Sequence, residues 1–514
     1  MTLISKRISA AALSLALGFT IAGAPMIAPD ASAQIAQDSV SSVDLNANAS
    51  LTINKRLGEP DSEADPGNAP GTPLQNIEFR IERITFDNEL NTLAGWNDLM
   101  ALQENAAALD ALIAAPENTG GKTTVETITT GTDGSVLTNL DVGVYLVTEL
   151  QNGNYTVAKP FLVTLPFTDS DGTWNYDQVV APKNQEVSVS KDVTDAGATI
   201  GSTINYTARA SVPAGNLDRF VIIDDLPSEL AAPQADAVDV SSPEGTQLTE
   251  GTDYALTISG QEVRMEFLEG GLTNLEGLRV NDAGLEVIVT FPAQIVDLPG
   301  NGIIRNDIEV LLPNSGRVTT DPNDPTNPGE SEYGAETHLG ALTINKLNDS
   351  GTPITTDAAK FELWRCQEQD QVLTLTDGPL FASNSPAIDG DPVSHRISEF
   401  ETVDGTITAH GVQVINRVNN AAPTTGDSDK LCVIETEAPD GYVINPEPQE
   451  VTFNTETMDD DFDMVANVTN YEDTIVGQLP ATGGKGTLAL IAAGVLAAIA
   501  GGFAALRGNR ARNS

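Results

Sequence analysis

The sequence predicts an all-β chain of three tandem antiparallel sandwiches, with one short helix inserted in the first. Three observations carry that prediction. Short β-branched pieces such as VSVSKDV at 187–193 and GLEVIVTFP at 284–292 alternate or run apolar, with Gly, Asn, Asp and Pro at turn positions between them. One strand-like segment is repeated, because SLTINKRLG at 50–58 and ALTINKLND at 341–349 share LTINK. Between Gly95 and Pro116, by contrast, Leu99, Leu102, Ala106, Leu109 and Ile113 recur at helical spacing, so a helix packed by its leucine face is expected there.

The ends of the chain are addresses rather than fold. Lys6 and Arg7 precede an apolar run from Ile8 to Ile27, and ASAQ places small residues at 31 and 33, which predicts a signal peptide over 1–33 cleaved before Gln34. Near the other end, Gly486 to Leu506 is apolar for about 20 residues, enough to cross a bilayer once. Arg507, Arg510 and Arg512 follow and favour a cytoplasmic tail. Alone, these features describe a single-pass membrane protein. The five residues Leu479, Pro480, Ala481, Thr482 and Gly483, placed before such a span and basic tail, resemble the cell-wall sorting signal of Gram-positive surface proteins. The resemblance implies that a sortase thiol attacks the Thr482–Gly483 carbonyl and passes Thr482 to an amine. The span is then a temporary stop.

Composition narrows what lies between. The chain carries 73 Asp and Glu against 26 Lys and Arg, a net charge of −47. That charge argues against nucleic acid or an anionic membrane surface as a partner. A hydrophobic content of 40% is enough to build cores. The stretch from Gln34 to Thr482 is roughly 450 residues, a prior of about three domains. Cys366 and Cys432 are the two cysteines of an exported chain, and a Cys366–Cys432 disulfide is expected, with two buried thiols as the alternative. His338, His395 and His410 show no metal-ligand spacing, and neither a nucleophile elbow nor a phosphate loop is present. No enzyme, metal or cofactor is expected, although paired carboxylates of a surface glycosidase are not excluded by inspection.

The repeated segment places lysines in unexpected company. By period-two alternation Leu51, Ile53 and Lys55 share a face, as do Leu342, Ile344 and Lys346, and Val187, Val189 and Lys191. A lysine pointing into an apolar core is expensive unless its charge is lost or paired, and a single case is best read as a stem that snorkels to the rim. Three such lysines, each opening a domain, suggest a shared purpose. The expected domain limits are 34–184, 185–334 and 335–472, followed by the sorting region 473–514. TTDPNDPTNPGES at 319–331 reads as a linker or long loop late in the second domain. Its Asp and Asn oxygens are of calcium-binding type, though an acidic turn-rich loop is ordinarily just solvated.

LCVIETEAPDGYVI at 431–444 resembles the E-box of Gram-positive pilins. With the sorting signal and the lysines, the chain resembles the major shaft pilins of corynebacterial and actinomycete fimbriae over essentially its whole mature length. The resemblance implies immunoglobulin-like CnaA and CnaB modules, each able to carry a self-formed Lys-Asn isopeptide bond assisted by an acid. In the third domain it pairs Lys346 with Asn470, in VANVTNYED, and makes Glu435 the acid. In the first, VYLVTELQNGNY at 144–155 is a degenerate box supplying Glu149, and VVAPKNQ supplies Asn184 to Lys55. In the second, FVIIDDLPSEL resembles the CnaA motif, with Asp224 as acid or Asp225 as the alternative, and GIIRNDIEV supplies Asn306 to Lys191. Burial suits this chemistry, because it lowers the pKa of an amine and raises that of a carboxyl.

WNYDQVVAPKNQ at 174–185 resembles the pilin motif, with Ala181 where many members carry Tyr. The resemblance makes Lys183 the acceptor of Thr482 from another subunit. Alternation sends Lys183 and Asn184 to opposite faces. The implied partners are pilus-specific and housekeeping sortases, identical subunits head-to-tail, peptidoglycan, minor or tip pilins and a host surface. The open alternative is a wall-anchored monomeric adhesin with CnaB stalks, its Thr482 joined to a peptidoglycan amine.

Overall fold

A computed structural model describes residues 42–59, 66–169, 172–242, 248–300, 302–324, 334–386, 395–413, 419–420, 430–453 and 463–473. The expected signal peptide, Leu479 to Gly483, the apolar stretch 486–506 and the basic tail lie outside these. Among the described residues, no helix is long and apolar enough to cross a membrane.

The first unit shows how strand patterning selects layers. Strand Ala49–Asn54 buries alternate residues and lies between Asp177–Val180, parallel to it, and Ser135–Leu140, antiparallel. A second sheet runs in the order Lys122–Thr129, Glu78–Ile84, Gly143–Glu149 and Phe161–Leu165. Its last two strands read as nearly continuous apolar runs and are buried almost throughout. Both faces are covered. One packs Leu51, Ile53, Phe79 and Tyr145 between the sheets. The other packs Leu146 and Leu162 beneath a helical layer through Trp96, Leu99 and Leu112.

That layer differs from the single helix expected over 95–116. It is two helices, Leu93–Glu104 and Ala106–Ala114, broken at Asn105. The Asn105 side chain accepts from the Ala108 backbone N–H at 3.1 Å, so the residue caps the second helix instead of continuing the first. The break shifts the buried face: Trp96, Leu99 and Leu112 are buried, Leu102, Leu109 and Ile113 only partly, and Ala106 is exposed. Beneath the helices the buried Lys122 Nζ lies 3.2 Å from Glu82, an ion pair the sequence patterns do not announce.

The middle unit packs the sheet Val189–Thr194, Thr203–Ser211, Glu286–Ile295 and Leu230–Ala231 against another ordered Tyr254–Ser259, Glu262–Phe267, Val221–Asp225, Glu309–Leu311 and Arg317–Thr319. It also holds an unexpected helix, Glu269–Arg279, which buries Leu272 and Leu275. Its glycines hide the helical signal. At Gly271 a Cβ would fall 1.9 Å from the Asp253 carbonyl oxygen, so only glycine lets the helix approach this closely.

Strand Ala335–Asn348 belongs to two units. Its first residues, Ala335 to His338, pair with Ile303–Asn306 of the middle unit; from Leu339 it pairs with Thr406–Gln413 and, from Ala341 and in parallel, with Asp463–Glu472. Ala335 and Leu339 pack in the middle core and Leu342 and Ile344 in the third, with a register shift between Gly340 and Ala341. The cores therefore divide inside this strand, about five residues later than the expected limit after 334. The facing sheet of the third unit joins Lys360–Gln369 to Lys430–Glu437.

Those two strands carry Cys366 and Cys432, joined with an S–S distance of 1.98 Å and a Cα–Cα distance of 5.9 Å. Replacing both by alanine is expected to destabilise the third unit by about 2 to 4 kcal/mol. Urea midpoints of the isolated ectodomain, oxidised and variant, measure the difference.

Candidate functional site

Each of the three lysines is buried where alternation places it. Lys55 and Lys346 are 0% exposed and Lys191 is 3% exposed. In the first unit the Lys55 ammonium donates to Glu149 Oε2 at 2.6 Å and to Asn184 Oδ1 at 2.5 Å. Asn184 Nδ2 donates to Glu149 Oε1, also at 2.5 Å, and the Ala158 backbone N–H donates to Oε2 at 3.2 Å. Lysine, acid and carboxamide thus close a three-membered ring.

The third unit repeats that ring. Lys346 Nζ lies 3.0 Å from Glu435 Oε1 and donates to Asn470 Oδ1, and Asn470 Nδ2 donates to Glu435 Oε1 at 2.9 Å. The Asn445 backbone N–H donates to Glu435 Oε2 at 2.6 Å. The likeness extends to register. Lys346 stands opposite Val468 across a parallel pair, so Asn470 is the same-face neighbour two residues on. In the first unit the offset that pairs Ile53 with Val180 and Arg56 with Lys183 sets Lys55 against Pro182, with Asn184 again two residues on. The acid precedes the asparagine by 35 residues in both.

The middle unit is built differently. Lys191 Nζ donates to Asp224 Oδ2 and, at 3.1 Å, to the Asp307 carbonyl. Asp224 is 1% exposed, whereas Asp225 faces solvent, so of the two alternatives only Asp224 meets the lysine. Asn306 is buried, but neither of its amide atoms makes a hydrogen bond of normal geometry. The structure therefore brings Lys191 to Asp224 and to the carbonyl beside Asn306, without joining it to the Asn306 amide.

Desolvation dominates the electrostatics. It lowers the pKa of Lys55, Lys191 and Lys346, against the opposing pull of Glu149, Asp224 and Glu435. It raises that of Asp224, against the pull of Lys191. Aromatic walls contribute to each pocket: Phe79 lies 5.8 Å from Lys55 Nζ, Tyr206 5.0 Å and Phe291 5.7 Å from Lys191, and Phe361 5.9 Å from Lys346. The sequence patterns missed these. Phe79 pairs across the strands with Glu149 and Phe361 with Glu435, so in the outer units the signal was a phenylalanine on the strand beside each glutamate.

Lys183 is half-buried in the short strand Lys183–Asn184, which pairs with Arg56–Leu57, while the adjacent Asn184 points inward and is 1% exposed. Trp174, which opens the same motif, stacks on Trp96 at 5.2 Å and so ties the segment to the helical layer. Thr482 lies outside the described residues.

Residues 46–185 match the family described as Gram-positive pilin subunit D1, N-terminal domain, and residues 472–513 match the LPXTG cell wall anchor motif. The chain is 29% identical over 539 residues to fimbrial subunit type 1 of Actinomyces viscosus, covering 98% of each. It is 30% identical over 499 residues to fimbrial subunit type 2 of Actinomyces naeslundii, covering 88% of each. The chain belongs to the fimbrial subunit family. The pilin's fold is similar to that of the major pilin SpaA of Corynebacterium diphtheriae, with TM-score 0.59 and 25% identity over 82% of this chain and all of that one. It also matches the full-length major pilin SpaD of the same organism, with TM-score 0.58 and 22% identity over 84% of this chain and 99% of that one. The pilin is a shaft subunit of a wall-anchored surface pilus, joined to other subunits and to the wall by sortase.

Burial sets the Lys191 pKa at about 8 against an ordinary 10.5. Between those values the unfolded chain binds more protons than the folded one, so this group makes stability rise with pH across the window, and its penalty is fully present below it. In an Asn306→Leu pilin, which lacks the carboxamide, the middle unit is expected to gain up to about 3 kcal/mol from pH about 8 to about 10.5. Urea midpoints check it, and the same background carrying Lys191→Met should lose the rise.

Proposed function

We propose that the pilin closes an amide bond inside each unit, Lys55–Asn184, Lys191–Asn306 and Lys346–Asn470, and that sortase joins Thr482 of one subunit to Lys183 of the next. The observation that carries this reading is the repeated ring of buried lysine, acid and asparagine in the first and third units. A neutral Nζ attacks the asparagine Cγ, the Cγ–Nδ2 bond breaks, and nitrogen leaves as ammonia with the proton that Nζ gives up. Glu149, Asp224 or Glu435 polarises the carbonyl and relays the proton. In the middle unit the amine rests on Asp224 and the Asp307 carbonyl, so closure requires the Asn306 side chain to rotate onto it.

Between subunits the bonds exchange in two steps. A sortase thiolate displaces the Gly483 amine from Thr482, and the Lys183 amine then displaces the thiolate. Each subunit offers one donor and one acceptor at different places, which generates an open filament. Lys183 and Asn184 face opposite ways, so one residue can serve the neighbour while the next closes the subunit's own core.

Intact mass of the reduced ectodomain Gln34–Thr482 is expected to fall short of the sequence mass by three molecules of ammonia. Lys55→Ala, Lys191→Ala and Lys346→Ala should each restore one, and a wild-type mass without deficit overturns the internal bonds. Surface extracts boiled in SDS should show a ladder of covalent multimers that collapses to monomer in Lys183→Ala. A ladder that survives this change assigns the acceptor elsewhere.

A further inference from the structure

In the first and third units the strand that carries the lysine lies directly beside the strand that carries the asparagine. The middle unit has no such adjacency among its described strands. Lys191 sits on Val189–Thr194, which pairs with Thr203–Ser211, whereas Asn306 ends Ile303–Asn306, which pairs with the start of Ala335–Asn348. The Lys191 side chain itself reaches the Asp307 carbonyl, and a further tie, between the two backbones, comes from the third unit.

Asn419 and Asn420 lie between the third-unit strands Thr406–Gln413 and Lys430–Glu437, and both adopt the left-handed backbone that asparagine tolerates, with φ of 52° and 62°. The Asn420 carboxamide donates from Nδ2 to the Lys191 carbonyl at 2.9 Å and accepts on Oδ1 from the Glu336 backbone N–H at 2.9 Å. It therefore spans the lysine strand and the strand next to Asn306, as a peptide group spans two strands of a ladder. Asn419 fastens the turn beside it: its Oδ1 accepts from the Asp195 N–H at 2.9 Å, and its own N–H donates to Asp195 Oδ1 at 2.8 Å.

We infer that Asn420 is a positioning residue for the middle amide bond, a rung lent by the third unit that holds the Lys191 strand in register with Asn306. Lys191 has its own carbonyl held by this rung while its Nζ reaches the carbonyl of Asp307, next to the asparagine it is proposed to attack. The middle bond then closes only after the third unit has folded against it, so the order of closure is built into the chain. This inference rests on the reading of Lys191 and Asn306 proposed above.

The test follows closure in the whole ectodomain after a pulse of synthesis. Digests taken at intervals give the fraction of Lys191–Asn306 peptide that is cross-linked, and the Lys55–Asn184 and Lys346–Asn470 peptides in the same digest report whether the other units have folded. Asn420→Ala is expected to slow middle closure by about tenfold or more, ~1.4 kcal/mol in barrier, and to leave the other two rates unchanged. Asn420→Asp keeps the acceptor for Glu336 and loses the donor to Lys191, and should fall between. Asn419→Ala, which disturbs the same interface without touching the rung, should close at close to the wild-type rate. Wild-type closure in Asn420→Ala overturns the assignment, even if that variant melts at a lower temperature, because a merely structural contact would change the melting point alone. Equal slowing in Asn419→Ala and Asn420→Ala also overturns it, by assigning the effect to the interface at large. A wild-type digest with the two outer cross-links and no middle one removes the reading of Lys191 and, with it, this inference.

Discussion

The structure turns on one costly arrangement, a primary amine held without water inside a β-sandwich. An ammonium in an apolar core is tolerated only when a counter-charge and hydrogen-bond acceptors replace its hydration. In the first and third units a glutamate and a carboxamide oxygen take that part, with a phenylalanine ring nearby. In the middle unit an aspartate and a main-chain carbonyl take it, beside two aromatic rings. The shared element is desolvation, which lowers the pKa of all three amines. The sequence must then keep an acid beside each lysine, since an unpaired charge there would cost several kcal/mol.

Much of this was legible because period-two alternation is strict. Once Leu51 and Ile53 are core residues, Lys55 has no other direction to point, and the same holds for Lys346 after Leu342 and Ile344. The glutamates were legible through a motif, and Glu149 through a weaker version of it. Less visible were features that depend on distant chain. The helical period over 95–116 does not reveal that Asn105 prefers to cap, and three glycines disguise the helix at Glu269–Arg279. Ala335 and Leu339 pack in the middle core although the strand changes neighbours after His338 and shifts register at Gly340, which no local pattern records. Asn306 was legible as the partner of the lysine, but not as one whose amide makes no hydrogen bond of normal geometry among the described residues. Nor does any pattern link Asn420 to Lys191, 229 residues away.

Comparing the units separates what the chemistry needs from what the fold happens to supply. The outer two place asparagine diagonally from lysine across a parallel pair, two residues on, and reach it with a glutamate from the opposite sheet. A long lysine leaning along its strand meets that diagonal neighbour without distortion. The middle unit uses the shorter aspartate, on a strand of the facing sheet, and its asparagine comes from a strand paired with the chain that continues into the next unit. A buried lysine with an acid is thus common to all three, while the route to the carboxamide differs.

That difference bears on how tension would cross a subunit under the proposed linkage. Force enters at Lys183, where the preceding subunit is attached, and leaves at Thr482. The first unit lies almost wholly on the far side of Lys183 from this path, so its bond guards the fold that presents the acceptor and carries little load. From Lys183 the chain runs to Lys191, crosses the middle bond to Asn306, and the pull then passes into Ala335–Asn348 through chain and ladder. It crosses again from Lys346 to Asn470 and goes out toward Thr482. Residues 192–305 and 347–469 are bypassed, and with them the disulfide between Cys366 and Cys432. Noncovalent sandwiches of about 5 to 15 kcal/mol would yield under sustained load at a rate set by their unfolding barrier, but here most of each folded body hangs beside the path rather than in it. The stretch where separate strands must still hold register is the ladder between Ile303–Asn306 and Ala335–His338, and Asn420 holds the Glu336 backbone beside it.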